Sequence, residues 1–599
     1  MSAPAEARRL LREVFGFESF RPGQDAIVAA VAAGEEVLAV MPTGSGKSLC
    51  YQLPALMADG LTVVVSPLIA LMRDQVAQLS ALGVAAASLT SANDAGENRR
   101  ILDDARAGRL KLLYAAPERL SRGEWLGDLR GTVRALAIDE AHCVSQWGHD
   151  FRPEYLALGQ MREVLGPIQT VALTATADAA TRDEIAARLF AAPPRIFVGG
   201  FDRPNLRLAM RPKGQGGGGV VDFVAAHPGD SGIVYCASRA KTEAMAAKLA
   251  AAGIKALPYH AGLDSAVRGA NQDAFLAEDG MVMAATVAFG MGIDKPDVRF
   301  VCHADLPKSI ESYYQEIGRA GRDGLPADTL TFYGMEDVRL HRLRIEEGGA
   351  SDERKRVEHR RLEALLALCE APRCRRQTLL AYFGETDSAP CGNCDLCLEG
   401  AKIIDGTMDA QKAMSAMVRT GQRFGTEHLV NLLLGVETDA IRRLGHHALP
   451  TFGVGAGGGR DHWRSVFRQI YASGLVTQDL DGPGGWRMTE AGAEVLRGRG
   501  TVALRAVPAA GRSKRGRAAA AAVAVDAAAQ PLLARLKALR LRLAAEEGVP
   551  AYVVFADRTL IELATRRPAT LAEMADIHGI GRAKLDRYGE VFLAAIAEA

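Results

Sequence analysis

Between about residues 20 and 205 the chain repeats one arrangement, a short apolar run followed by a helix-like amphipathic segment. The runs "VLAVMP", "LTVVVSP", "KLLYAAP", "RALAIDE" and "TVALTAT" have the pattern of strands in a parallel, doubly wound sheet. After "FDRPN" and a glycine-rich stretch at 214–219 the same rhythm restarts in "SGIVYCASR", "IKALPYH", "GMVMAAT", "VRFVCHAD" and "TLTFYG". Two similar α/β lobes joined by a linker are expected.

The chain has 599 residues, too many for one core, so several domains are expected. From about 340 to 400 the text turns helical and basic and ends in a cysteine cluster. From about 408 to 505 short helices lead into "LVTQDLDGPGGWRMT", two strand-like runs around a Gly/Pro turn, in the order of a winged helix. The alanine-rich, basic stretch 506–530 reads as a flexible linker, with a partly helical alanine run as the alternative. A helical module of about 70 residues follows. The expected domains are 1–205, 206–338, 339–405, 406–507, a linker over 508–528, and 529–599.

Lys and Arg number 72 and Asp and Glu 71, a net charge of +1. Overall charge therefore argues for no partner, and any nucleic-acid binding must come from local basic patches. The start "MSAPAEARRLLREVFGF" has no apolar signal core and no stretch approaches ~18 uninterrupted apolar residues, so a cytoplasmic protein without a membrane partner is expected. Cys50, Cys143, Cys236, Cys302 and Cys369 are scattered singly, which suits a reducing compartment.

"VLAVMPTGSGKSLCYQ" places a strand, a glycine-rich turn and a helix start in succession. Backbone N–H groups of Thr43, Gly44, Ser45 and Gly46 would cradle phosphates, Lys47 would neutralise the β- and γ-phosphates, and the Ser48 hydroxyl would ligate Mg²⁺. The general pattern has glycine where this chain has Met41; Gly44 and Gly46 supply the backbone freedom instead. A loop that holds no nucleotide is the bland alternative. "RALAIDEAH" ends a strand in Asp139 and Glu140, the first placed to hold Mg²⁺ and the second to orient or deprotonate an attacking water. Acids also end strands for solubility, so the pair gains its meaning from the phosphate loop before it. In "SYYQEIGRAGRDG", Arg319 and Arg322 stand three apart, on one helical face or the adjoining turn, where an arginine from the second lobe would stabilise charge on a transferring phosphoryl group. A solvated helix with arginine paired to Glu316 is the alternative.

Together with "FRPGQ" (20–24), "SPLIALMRDQ" (66–75), "APERL" (116–120), "LTATA" (173–177), "YCASR" (235–239) and "ATVAFGMGIDKP" (285–296), these motifs resemble, in order and spacing, the RecQ family of superfamily 2 DNA helicases, bacterial type, over essentially the whole chain. The resemblance implies two tandem RecA-like doubly wound lobes, then a helical zinc-binding domain, a winged helix and a small all-helical HRDC domain. It implies that Gln24, with Arg21 beside it, reads adenine. An amide donates and accepts at once, so ATP is expected over GTP. It assigns Thr174 and Thr176 to coupling between ATP and DNA, Gly292 and Asp294 to the second lobe's side of the nucleotide cleft, and Arg322 to the arginine finger with Arg319 beside it.

Cys374 is followed by Cys391-x₂-Cys394-x₂-Cys397. Two-residue gaps let a knuckle present successive thiolates to a tetrahedral Zn²⁺, and four thiolates leave no open position, so the site is expected to be structural. Disulfides compete poorly, because the spacing strains a bridge between neighbours. His359 reads as a surface helix residue and not a ligand.

The stretch "DEAHCVSQWGHDFRPEY" (139–155) runs from the acid pair into an aromatic and basic loop. His142 is expected to bridge towards Thr174. Trp147 and Phe151 suit base stacking at ~1–3 kcal/mol per base, with His149 and Arg152 approaching phosphate or acidic neighbours. Burial of the aromatics in the core is the alternative. "DHWRSVFRQIY" (461–471) resembles the recognition helix of the family's winged helix, although its composition equally suits core plus rim. The short turn at 481–485 leaves no room for a long strand-separating pin. In "IHGIGRAKLDRYG" (577–589), Gly579 and Gly581 offer N–H groups at a helix start to phosphate, while the module's near-neutral charge favours packing on the helicase core or a protein partner almost equally.

The expectation is an ATP-, Mg²⁺- and Zn²⁺-dependent helicase moving 3′ to 5′ on single-stranded DNA and unwinding duplex or branched DNA in recombination, repair and replication, at the bacterial nucleoid. A single-stranded-DNA-binding protein and a type I topoisomerase are partners the resemblance suggests. An RNA helicase and a binding scaffold with a dead nucleotide site are the alternatives.

Overall fold

The computed structural model describes residues 3–598 except 91–92, 122–123, 146–150, 178, 215–218, 291–294, 386–387, 401, 479–484 and 507–527. The first lobe contains β1 (Val37–Val40), β2 (Leu61–Val65), β3 (Ala86–Leu89), β4 (Leu112–Ala115), β5 (Val133–Ile138), β6 (Gln169–Thr174) and β7 (Arg195–Val198). All pair in parallel, in the order β3-β4-β2-β5-β6-β1-β7. On β1, Leu38 and Val40 enter one core while Val37 and Ala39 enter another. Burial on both faces is why the central strands read as unbroken apolar runs.

The second lobe repeats the design with β8 (Leu206–Pro212), β9 (Ser231–Tyr235), β10 (Ala256–Tyr259), β11 (Val282–Ala285), β12 (Val298–His303) and β13 (Ala327–Tyr333), ordered β10-β11-β9-β12-β13-β8 and again parallel. Three strands are additions to the sequence reading. β3 and β7 are partly exposed edges, and β8 alternates buried Leu206, Leu208 and Met210 with less buried residues. Edges lack the two-sided apolar signature.

A helical hairpin, Met335–Glu347 and Asp352–Cys369, leads to Arg375–Tyr382 and the cysteine knuckle, which lies against β8. The winged-helix region follows, with helices Thr407–Arg419, Thr426–Leu434 and Arg460–Ala472 and an antiparallel pair, Val476–Gln478 with Trp486–Met488. Residues 479–484, most of the expected wing turn, lie outside the described residues. The helix Arg460–Ala472 is largely core: Trp463, Val466, Phe467, Ile470 and Tyr471 are buried, and buried Arg468 pairs with Glu370 of the preceding domain at 2.6 Å. Its outward groups are already engaged by acids, Arg464 with Glu427 at 2.6 Å and His462 with Asp409 at 3.0 Å. This favours the core-plus-rim reading of the helix.

The last module has its own core around Leu536, Phe555, Leu563 and Phe592, built by helices that include Gln530–Glu547, Asp557–Arg566 and Arg582–Ala597. It docks on both lobes. Tyr552 donates to Asp74 of the first at 2.5 Å, and Arg540 forks onto Asp279 of the second at 3.0 and 3.2 Å. The Gly579 N–H donates to Gly16 O at 2.9 Å, and a Cβ at Gly581 would stand 2.5 Å from Val14 O. This glycine pair packs against the first lobe, and the Gly579 N–H is engaged there and not held open for phosphate. No described helix is long and apolar enough to cross a membrane.

Candidate nucleotide, DNA and zinc sites

The phosphate loop leaves β1 at Val40. Gly44 and Gly46 both have φ near +80°, a conformation that favours glycine. Met41 is buried, does not need positive φ, and donates its N–H to Thr174 O at 2.9 Å; position 41 thus continues the strand, which explains why glycine is dispensable there. Lys47 Nζ reaches Met41 O at 3.4 Å, and Ser48 stands just before the helix Leu49–Met57 without a side-chain capping bond.

Gln24 lies beneath this loop. Its Nε2 donates to Ser45 O at 2.9 Å and Gly46 O at 3.1 Å, while its Oε1 accepts from Arg21 N at 2.8 Å. Both amide hydrogens are engaged by the loop, so donation to a base needs one of those bonds to yield, and the oxygen's second lone pair is the edge that remains. Arg21 donates to Gly44 O and, at 3.4 Å, to Arg322 O across the cleft.

Asp139 follows β5, with its N–H on Val65 O at 2.9 Å and its carboxylate accepting from Glu140 N at 2.9 Å. Glu140 is left-handed at φ +49°, an uncommon conformation for a side chain of this type. Its Oε2 is buried and accepts no hydrogen bond among the described residues, although His142 Nδ1 lies 3.3 Å away. His142 Nδ1 meets Thr174 Oγ1 at 2.9 Å, and Thr174 Oγ1 in turn donates to Thr176 O at 3.2 Å. Burial first, then Lys47, Arg152 and Lys308, lowers the His142 pKa to about 3, so the ring is neutral at physiological pH.

Trp147 and His149 lie outside the described residues, but both ends of their loop are fixed. Ser145 Oγ donates to Glu184 at 2.5 Å. On the far side Arg152 N bonds Cys143 O at 2.9 Å, its guanidinium reaches Pro67 O at 3.1 Å, and the Tyr155 hydroxyl donates to Asp139 O at 3.0 Å. Tyr155 is therefore core, while Phe151 is half-buried. A direct hydrogen bond joins the loop's exit to the acid pair.

The helix Ile310–Ile317 stops before Arg319, so Arg319 and Arg322 occupy the adjoining turn and not a helical face. Glu316 is engaged by His303 at 2.8 Å instead of by arginine. Gly318 abuts the phosphate loop: a Cβ there would stand 2.9 Å from Thr43 Cβ. Gly292 and Asp294 lie outside the described residues. Two residues the sequence reading missed bind this turn. Arg203 donates to carbonyls of both lobes, and Asn205 Nδ2 donates to Gly321 O at 2.9 Å and Leu325 O at 2.8 Å. Both belong to "FDRPN", which otherwise reads as linker, and their partners are main-chain carbonyls, which no residue pattern announces.

The sulfur atoms of Cys374, Cys391, Cys394 and Cys397 all lie within 4.8 Å of one another, and those of Cys374 and Cys394 are 3.9 Å apart. A tetrahedral Zn²⁺ with ~2.3 Å bonds needs sulfurs roughly 3.8 Å apart, so the set fits the ion. Burial opposes ionisation of Cys374, but N–H donors of Cys391 and Gln377 prevail and hold its pKa at about 7. His359 pairs with Glu346 at 2.6 Å and is not in the cluster. Next to the ligands, fully buried Arg375 forks onto Asp395 at 2.8 and 2.9 Å, and Asp395 also accepts from Met210 N of β8 at 3.0 Å.

Five known families match successive parts of the chain: DEAD/DEAH box helicase over residues 21–185, helicase conserved C-terminal domain over 219–324, RecQ zinc-binding over 335–398, RQC domain over 400–513 and HRDC domain over 529–596. The chain is 42% identical over 595 residues to the ATP-dependent DNA helicase RecQ of Haemophilus influenzae, covering 99% of this chain and 96% of that one. It is 43% identical to the Pasteurella multocida protein of the same name, covering 98% and 93%, and 36% identical to that of Bacillus subtilis, covering 98% of each.

Proposed function

The chain belongs to the RecQ family of ATP-dependent DNA helicases, and from that premise we propose how its residues divide the work. It is an ATP-dependent DNA helicase with a structural Zn²⁺ held by its four clustered cysteines. The phosphate loop and Lys47 bind the triphosphate, and Arg21 with Gln24 hold the base. Asp139 and Ser48 hold Mg²⁺, which would supply charge neutralisation between the phosphates. Glu140 orients or deprotonates the attacking water, a role supported by its buried Oε2, which accepts no hydrogen bond among the described residues. Arg319 and Arg322 stabilise charge on the departing phosphoryl group. Gly292 and Asp294 complete the second lobe's side of the cleft.

The observation that carries this reading is the closure of the phosphate loop by the turn bearing Arg319 and Arg322, through Arg21, Arg203 and Gly318. Two lobes sharing one nucleotide can convert hydrolysis into relative motion. The coupling path is proposed to run from Trp147, His149, Phe151 and Arg152 through Tyr155 and Asp139, and from Thr174 and Thr176 through His142. The strand tracked is single-stranded DNA, moved 3′ to 5′ as is typical of the family, with branched DNA as substrate and the bacterial nucleoid as the place of action. A single-stranded-DNA-binding protein and a type I topoisomerase are proposed partners, on family resemblance. The domain limits 1–205, 206–338, 339–405, 406–507 and 529–599 belong to the same proposal.

Lys47→Ala is expected to abolish DNA-stimulated ATP hydrolysis while DNA affinity stays within about threefold, measured by phosphate release and fluorescence anisotropy. Retained DNA-stimulated turnover would sink the assignment.

A further inference from the structure

Arg203 sits in the segment that joins the two lobes, and its guanidinium is ringed by main-chain carbonyls from both. One, Thr43 O, is on the phosphate loop. Three are on the turn of the second lobe: Gly318 O at 3.3 Å, Ala320 O at 3.0 Å and Gly321 O at 2.9 Å. The chain on either side is fixed. Phe201 stacks on Phe383 with ring centres 4.5 Å apart, its carbonyl accepts from the Tyr314 hydroxyl at 2.9 Å, and Asn205 fastens onto Gly321. A Cβ at Gly44 would stand 2.7 Å from Arg203 Nη1, so loop and guanidinium are closely fitted.

The planar guanidinium has five donors in a rigid fork and addresses two groups of carbonyls at once, which a lysine ammonium does not. The neighbours Arg21 and Arg322 are also cationic, and after burial, the largest influence, Arg322 and Arg21 help depress the Arg203 pKa to about 10. Arg203 remains charged at neutral pH, and a polyphosphate on the loop is the counter-charge this group of arginines favours.

We infer that Arg203 is a positioning residue for ATP hydrolysis, carrying the 318–322 turn onto the phosphate loop and setting the register of Arg319 and Arg322 against the triphosphate. Three of its carbonyl bonds go to the second lobe and one to the first, so on opening of the cleft it stays with the second lobe, and the Thr43 bond is the one that breaks. This inference rests on the proposed role of Arg319 and Arg322.

The test uses the full chain carrying Arg203→Lys or Arg203→Ala, with steady-state ATP hydrolysis on single-stranded DNA, affinity for a fluorescent ADP, and thermal melting. The account expects kcat to fall about tenfold in Arg203→Lys and further in Arg203→Ala, with KM and ADP affinity within about threefold. If Arg203→Ala fails to fold, Arg203→Lys alone decides. A kcat within about twofold of the parent overturns the inference, as does a loss confined to KM, which would make Arg203 a binding group. Loss of cooperative melting in Arg203→Lys would make its role structural and overturn it too. Arg319→Ala and Arg322→Ala run alongside: if both keep full turnover, the underlying arginine assignment has failed, whereas loss there with normal Arg203 variants sinks this inference only.

Discussion

The zinc-binding domain and the HRDC domain are both appended to the helicase lobes, yet they are attached in opposite ways. The first is welded to one lobe. Its knuckle covers the β8 edge through the Leu208–Cys394 bridge, the Asp395–Met210 bond and Arg376 on Leu206 O, and its buried Arg375–Asp395 pair has both charges satisfied. The second has a core of its own and divides a few contacts between two lobes: Gly16 and Asp74 on one side, Asp279 on the other, and a small apolar patch of Leu276, Tyr552, Val553 and Ala81. The difference teaches that the zinc domain is part of how the second lobe folds. The HRDC domain instead folds around its own core and touches both lobes at a few points.

The largest effect should come from Cys394→Ser, which removes a zinc ligand and unseats Asp395 beside it. Structural zinc contributes folding energy directly, so melting is expected to drop by about 10 °C or more and DNA-stimulated ATP hydrolysis to fall roughly a hundredfold. Differential scanning fluorimetry and phosphate release measure both; unchanged melting would mean that this domain is as detachable as the other.

A smaller and more local effect is expected from Asp279→Ala. Arg540 keeps Asp557 at 2.7 Å within its own module but loses its partner on the second lobe. Amide exchange should rise around residues 14–17 and 276–279 while the melting of the lobes shifts by no more than about 2 °C. An equally large loss of ATP hydrolysis and melting as in Cys394→Ser would erase the contrast.

The smallest effect is one of pH. His578 packs against Phe17 in a tilted pair with ring centres 5.3 Å apart, and burial, then Arg558 and Arg21, lower its pKa to about 4 from the usual 6.5. The neutral ring is the one that fits, so its contribution to docking is full above pH 6.5 and is lost as pH falls towards 4. The Arg540–Asp557 pair is unaffected in that window, because the Asp557 carboxyl is held at about 2. Amide exchange at 14–17 should therefore be faster at pH 5 than at pH 7, after correction for intrinsic rates, and His578→Gln should remove the difference.

The same contrast governs what the sequence makes legible. The central strands stand out because both faces are buried; the edges β3, β7 and β8 do not, because half their surface is exposed or covered by another domain. Four cysteines at two-residue gaps announce a metal. Arg375 and Asp395 look like ordinary charged neighbours of cysteines until the fold buries them together. Gly44 and Gly46 are legible because positive φ has few other solutions, and the fold shows why Met41 does no harm. Arg203 is illegible because its partners are carbonyls, which leave no trace in residue identity. At Gly579 the local reading of an available N–H is sound, but the acceptor is Gly16 O, 563 positions earlier in the chain and beyond any local pattern.

The most direct test of the account is strand displacement by the full chain on duplexes with a single-stranded 3′ tail or 5′ tail, with ATP or a non-hydrolysable analogue. The account predicts displacement of the 3′-tailed duplex with ATP and none with the analogue or on the 5′-tailed duplex. Displacement without hydrolysis, or equal displacement from either tail, would contradict it.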